Sequence, residues 1–537
     1  MSLRDTNLRK LKATAAQPLD VLVLGGGING AVSAAALCAR GLKVGLIDRG
    51  DFASVTSQQS SNLAWGGIKY LESYELGLVR KLCLARNRLV RAYPSTVQEI
   101  RFYVGHEKGF RHGLWKLVLG SWFYWLMGNG FTRTPRRLTT QEMNREEPLV
   151  DTAGLDGGFE YSDAYLQDND ARFVWLFIRG ALDHGCLGAN YVESVGATRE
   201  GDLWKVRARD VLSGNEFTIN ARALINACGP YADEHNARTG EQTSHQHVFS
   251  KGIHILVRKL TPNPRVLTFF ADDGRLFFVI PMGNRTCIGT TDTKVEKPEV
   301  VVTPEDRAFV LENINKRLKL AQPLTEADIV AERCGVRPLV VGKQGAGGGN
   351  WMQLSRKHVV EADGERRHLT IFGGKLTDCL NVGEEVCDAL AKMGLPTPWP
   401  ERAWYGEPSA EVRDEWFHQA KLADLDGYTS PHSSEKLSTR LWRRYGAEAF
   451  SLLEAIRQDP RNAEVIIETS EYLRCEIEQA ARREMITKLD DFLRRRSKIA
   501  LVVKREELRQ AAGLREACRV FFGERAEEEW KGWFGEE

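Results

Sequence analysis

Three glycines, Gly25, Gly27 and Gly30, follow the apolar run Leu19–Leu24 and precede an alanine-rich segment, Ile28–Arg40. In such a pattern the first glycine makes a tight turn, the second lets backbone approach a pyrophosphate, and the third lets a helix pack closely on a strand. The anion then rests on the free N–H groups at the helix N-terminus. Asp48 ends the next apolar run, Leu42–Ile47, about 20 residues past the glycines, where a carboxylate accepts hydrogen bonds from a ribose hydroxyl. Taken alone, this group fits NAD or FAD. Downstream, Thr56–Tyr70 (TSQQSSNLAWGGIKY) sets hydroxyl and amide side chains ahead of a Gly-Gly pair, which supplies short donors and room for backbone to approach a ligand.

These residues need elements to position them. Leu19–Leu24, the alanine-rich helix and Leu42–Ile47 form a βαβ unit, whose strands run parallel with a right-handed crossover. Strand-like segments bounded by turn residues dominate from about Ala189 to Thr291, which predicts a mostly antiparallel sheet. Two strands run into small-residue turns, at Ala223–Pro230 (ALINACGP) and Leu369–Thr377 (LTIFGGKLT). From about Glu401 glycine becomes scarce and charged helical periodicity takes over, which predicts a separate helical C-terminal domain. Gly345–Gly349 (GAGGG) reads as a flexible loop and not a phosphate cradle, since no Lys-Ser/Thr pair follows it.

A chain of 537 residues exceeds one simple core, which rarely grows past roughly 250 to 300 residues. The expected fold is α/β, with a Rossmann-like nucleotide domain, a mainly antiparallel substrate-domain sheet and the helical C-terminal domain. The nucleotide domain is read as discontinuous (19–90, 150–235 and 330–395), with the substrate domain at 91–149 and 236–329, helices over 400–537, and a flexible lead over 1–18. With 74 basic against 72 acidic side chains, no large field gathers nucleic acid. Met1–Pro18 has no apolar core of a secretory signal, and the ten cysteines never form C-x-x-C, so a reduced, cytoplasmic location is expected. Leu114–Met127 is rich in Trp and Leu but shorter than the roughly 20 residues of a spanning helix.

The stretches VLVLGGGINGA, TSQQSSNLAWGGIKYLESYELGLVR, GGFEYSDAYLQDNDAR, LINACGPYAD, KGIHILV, FVIPMGNRTCIGTTDT, CGVRPL, FGGKLT and LDDFLRRR occur in that order along the chain. In these the chain resembles the FAD-dependent glycerol-3-phosphate dehydrogenases, within the D-amino-acid-oxidase-type, glutathione-reductase-like flavoproteins. The resemblance implies FAD bound non-covalently across Gly25, Gly27, Asn29 and Gly30, Asp48, Ser60 and Ser61, Gly66 and Gly67, and a backbone contact near Val192. It adds Gly229 and the Gly373, Gly374, Lys375, Leu376, Thr377 turn. It also implies a substrate pocket at Tyr70, His254, Arg337, Arg356 and Lys375.

The chemistry of those residues is coherent. Guanidinium forks suit phosphate oxygens, so Arg337 and Arg356 are read as a phosphate clamp. Oxidation of a secondary alcohol through flavin sends the carbon-bound hydrogen away as hydride while a base takes the hydroxyl proton. A base with pKa near the operating pH serves best, which favours His254, and Lys375 holds the substrate oxygen or lowers flavin-ring charge. Where the family carries Lys, His and Arg, this chain has Asn62, Trp65 and Lys69. Trp65 cannot exchange a proton, and Lys69 loses the planar fork. Either His254 or another group holds the base role, or the pocket suits a different hydroxylated substrate. Three functions are weighed: oxidation of sn-glycerol 3-phosphate to dihydroxyacetone phosphate with electrons passed to membrane quinone, flavin oxidation of another polyol phosphate or hydroxy acid or with oxygen as acceptor, and a silenced FAD-binding protein. The first is favoured, with Arg111–Met127 and the cations Arg133, Arg136 and Arg137 lying on the inner face of the cell membrane; a homodimer is left open.

Overall fold

The computed structural model describes residues 2–272, 274–343, 357–431, 433–467 and 470–535. Two sheets carry the molecule. The first has eight strands, and at its centre Leu187–Ala189, Val44–Ile47, Leu19–Leu24, Glu216–Asn226 and His368–Gly373 run parallel in that spatial order. Antiparallel strands extend it: His358–Asp363 on one edge, and Leu203–Asp210 with Val192–Glu200 on the outer half of Glu216–Asn226. Leu19–Leu24 is buried almost throughout, as a central strand covered on both faces requires. Helix Ile28–Ala39 packs on helices Asp170–Asp183 and Cys379–Lys392, and its run of buried alanines lets the backbones approach.

The second sheet has ten strands. Its long members are His245–Arg258, paired antiparallel with Ala331–Gly342 on one side and Arg285–Gly289 on the other, and Val97–Glu107, paired with Leu155–Leu166. All its pairings are antiparallel except Arg265–Phe270 with Val97–Glu107.

Two sequence expectations are corrected. Leu63–Ala64, Leu155–Leu166 and Ala331–Gly342, read as nucleotide-domain segments, pair in the second sheet. The 1–18 segment is no flexible lead: Leu3–Lys12 is a helix with a capping box at Ser2, Leu8 and Leu11 are buried, and Arg4 donates to Asp210 at 2.6 Å. The C-terminal helices, expected as a domain, pack both on themselves and on the second sheet. Trp416, Leu441 and Leu453 share a core of their own, but Ile477, Phe492, Leu501 and Trp530 belong to the core that holds Tyr161 and Ile280 of the second sheet. The Gly345–Gly349 loop lies outside the described residues.

Candidate active site

Where the chain turns from Leu24 into helix Ile28–Ala39, Gly25 and Gly30 leave no room for a side chain. A Cβ on Gly25, where φ is +94°, would stand 2.5 Å from the Ala227 carbonyl oxygen, and one on Gly30 would stand 1.8 Å from that of Gly25. The loop is thus pressed against the Ala227–Gly229 turn. Ile28 N–H donates to Ser57 Oγ at 3.0 Å, which brings the polar Thr56–Ser61 stretch to the helix N-terminus. Asp48 accepts from Gly26 N–H at 2.7 Å and Gly50 N–H at 2.9 Å. Burial outweighs those bonds and lifts its carboxyl to about 6.

Two cavities open from this loop. The first is lined by Gly25, Gly27, Asp48, Val192 and Gly229, together with Arg49, whose guanidinium lies 3.7 Å from the Tyr231 ring centre. The second is lined by Ser60, Ser61, Trp65, His254, Arg337 and Gly374–Thr377. Thr56 and Ser57 line both, so the cavities meet at the helix N-terminus. That plan suits a two-ended molecule with a diphosphate in the middle, the form of a dinucleotide.

The Gly373–Gly374 turn, with φ of +60° and +104°, is tied to the loop because Asn29 Nδ2 donates to the Gly373 carbonyl at 2.9 Å. It carries Lys375, whose Nζ stands 4.1 Å from the Tyr70 ring centre and 5.5 Å from that of Trp65. His254 is buried, and neither ring nitrogen has a hydrogen-bond partner among the described residues. Burial, then the charges of Arg333 and Arg337, push its pKa down to about 3. Burial therefore favours the neutral imidazole, the form that can accept a proton. Arg337 donates to Thr290 Oγ1 at 2.9 Å and lies 3.5 Å from Asp292 Oδ1.

Not every expected residue meets the cavities. Lys69 is exposed and Tyr70 lies under Lys375; neither lines a cavity, nor do Gly66 and Gly67. The Trp65 indole N–H is already given to Tyr161 Oη at 3.2 Å. Arg356 lies outside the described residues. Sequence reasoning missed Arg49, Ser57 and Arg333. Arg49 follows Asp48 directly, so its place at the cavity was readable. Arg333 was not: it is wholly buried, and its Nη1 donates to the Ser60 carbonyl and, at 2.9 Å, to Asn62 Oδ1. A cation thus stands where the family's lysine was expected, delivered from another strand.

Fold and cavities together define a dinucleotide-dependent oxidoreductase. Residues 20–372 match the family of FAD dependent oxidoreductases, and residues 409–518 match the C-terminal domain of alpha-glycerophosphate oxidase. The glycerol-3-phosphate dehydrogenase of Pseudomonas aeruginosa is 32% identical over 502 residues, spanning 91% of this chain and 93% of that one. The aerobic glycerol-3-phosphate dehydrogenase of Staphylococcus epidermidis is 29% identical, spanning 89% and 86%. In fold the chain is like the glycerol-3-phosphate dehydrogenase of Bacillus halodurans complexed with FAD, with a TM-score of 0.74 at 22% identity over 100% of this chain and 97% of that one. The chain belongs to the FAD-dependent oxidoreductases, in their glycerol-3-phosphate dehydrogenase family. FAD is the cofactor, and the side-chain-free glycine loop and the joined cavities, with the Ser57 hydroxyl between them, fit it.

Proposed function

We propose that this enzyme oxidises sn-glycerol 3-phosphate to dihydroxyacetone phosphate and that the electrons pass from FAD to membrane quinone. The names of its relatives support the substrate. The observation that carries the reading is one cavity lined by a guanidinium, a neutral buried imidazole and an ammonium: Arg337, His254 and Lys375. Arg337 binds the phosphate, with Arg356 as its partner. Lys375 Nζ steadies the oxygen at C2, and a ring nitrogen of His254 takes the hydroxyl proton. FAD, when bound, supplies the two-electron acceptor for the hydrogen at C2. The phosphate dianion offsets the Arg337 charge that helps depress His254, so substrate binding itself makes the imidazole a better base.

Attachment to the membrane is proposed through helix Leu114–Met127. No helix of the described residues is long and apolar enough to cross a membrane. On this one, Leu114, Val118, Ser121 and Tyr124 face inward, while Trp115, Leu119, Phe123 and Leu126 are 62, 66, 44 and 60% exposed. Their spacing puts them on one face, and Arg137 lies over the Trp115 ring at 4.7 Å. An apolar face rimmed by cations suits an anionic lipid interface.

The match to an oxidase C-terminal domain favours a second reading, with oxygen as acceptor. The test compares turnover of glycerol 3-phosphate with a water-soluble quinone and with oxygen. Quinone reduction without peroxide supports the first reading; stoichiometric peroxide, with quinone idle, selects the second. Turnover of free polyols or hydroxy acids in place of the phosphate ester overturns the substrate assignment.

A further inference from the structure

The LDDFLRRR stretch has had no part in the chemistry so far. Over Asp491–Arg496 it is wound as a π-helix, a geometry that recurs at functional places, and Arg494, Arg495 and Arg496 are all buried. Besides local bonds from Arg495 to Asp490 and Asp491 and from Arg496 to the Glu484 carbonyl, they reach more than 400 positions away into Asp51–Gln59, part of which lines the two cavities. Arg496 holds Asp51 through Nη1 and Nη2, each at 2.8 Å, and Arg495 Nε adds a third bond at 2.6 Å. Burial alone would raise the Asp51 carboxyl; Arg496 and Arg495 outweigh it and hold it below its ordinary value. Arg494 Nη2 donates to the Gln58 carbonyl at 2.8 Å and to Gln59 Oε1 at 3.0 Å. Arg333 grips Ser60 and Asn62 from the second sheet.

The gripped segment has little structure of its own, a three-residue turn at Thr56–Gln58 and a two-residue strand at Leu63–Ala64. Its shape is imposed from outside. Asp51, Asp170, Asp490 and Asp491 stand against Arg333, Arg494, Arg495 and Arg496, but not every donor of the grip is matched. Arg494 Nη1, Arg333 Nε and Arg333 Nη2 are buried without partners among the described residues, and the carboxylate facing Arg333, Asp170, stands 3.8 Å away. Burial and then the Arg333 charge pull Arg494 down to about 9. Unpaired buried cations are costly, and an anion bound along the same segment lowers that cost. Asp51, Asp490 and Asp491 account for Arg495 and Arg496 as fold contacts; they do not account for Arg494.

We propose that the C-terminal domain completes the cofactor site: Arg494, Arg495 and Arg496 are positioning residues that shape Asp51–Asn62 for FAD, so cofactor binding and seating of that domain are coupled. The inference rests on the two cavities being the FAD site. Coupling of this kind is reciprocal, so it is measurable from either end.

The test uses the full chain. In the wild type, adding FAD to the apoprotein should slow amide exchange across Asp491–Arg496 as well as across Asp51–Asn62. Arg494→Met should weaken FAD binding about tenfold or more and shrink the FAD-induced rise in Tm; a purely structural residue would lower Tm equally with and without FAD. Arg494→Lys, which keeps the charge and loses the fork, should recover part of the affinity. Unchanged exchange at Asp491–Arg496 on FAD uptake overturns the proposal even if the variants fail to fold, and so does wild-type FAD affinity in Arg494→Met. A wild type that takes up no FAD overturns the cofactor-site assignment instead.

Discussion

At the scale of single residues, the site is a set of charges held in unusual states by burial. Asp48 illustrates the sign of the resulting pH dependence. Its carboxyl is raised to about 6 without ligand, and ribose hydroxyls donate more strongly to the ionised form, so FAD binding should lower that pKa. Affinity is then fully present above pH 6 and falls by up to about tenfold per unit below it; fluorescence titration of apoprotein between pH 5 and 8 checks this, and a flat profile removes the ribose role from Asp48. Arg337 tests the other cavity. Losing a charge-assisted bond to phosphate costs about 1.5 to 3 kcal/mol, so Arg337→Ala should raise the substrate requirement about 10- to 100-fold with FAD retained. If the variant loses FAD instead, the clamp is misassigned. Asn62 shows what single positions hide: read alone it is a lost cation, but the Arg333 guanidinium lies against it.

At the scale of elements, the parts with a local cause were legible. A glycine loop between an apolar strand and an alanine-rich helix marks its own turn, and the turns at Gly229 and Gly373 were readable because glycine adopts positive φ at least cost. What stayed illegible depends on partners far along the chain. Helix Leu3–Lys12 looks like a polar lead until Arg4 is seen to pair with Asp210, 206 positions away. Lys69 sits three residues before Glu72 in a motif that reads as substrate-binding, yet the turn at Ile68–Leu71 leaves it exposed. Helix Leu114–Met127 was readable as amphipathic, and its open face makes a prediction at this scale. Replacing Trp115, Leu119 and Phe123 together by Ser should abolish co-sedimentation with anionic vesicles while leaving FAD content and turnover with a soluble acceptor intact. Undiminished vesicle binding would place the membrane contact elsewhere.

At the scale of the whole molecule, the cofactor site is assembled from the entire length of the chain. Its strands come from residues 19–24, 216–226 and 368–373, its substrate-side wall from the second sheet, and its support from Arg494–Arg496 at the C-terminal end. The sequence pattern located the first two, since each ends in a recognisable turn. The third was hidden, because a run of arginines reads as solvent-facing charge until Asp51 and Gln58 are known to meet it. The central claim is that this assembly oxidises glycerol 3-phosphate on FAD, and anaerobic titration of the FAD-loaded protein with that substrate tests it most directly. The account predicts that glycerol 3-phosphate bleaches the flavin absorbance and that dihydroxyacetone phosphate is formed in equal amount. Full FAD content with no bleaching would contradict it.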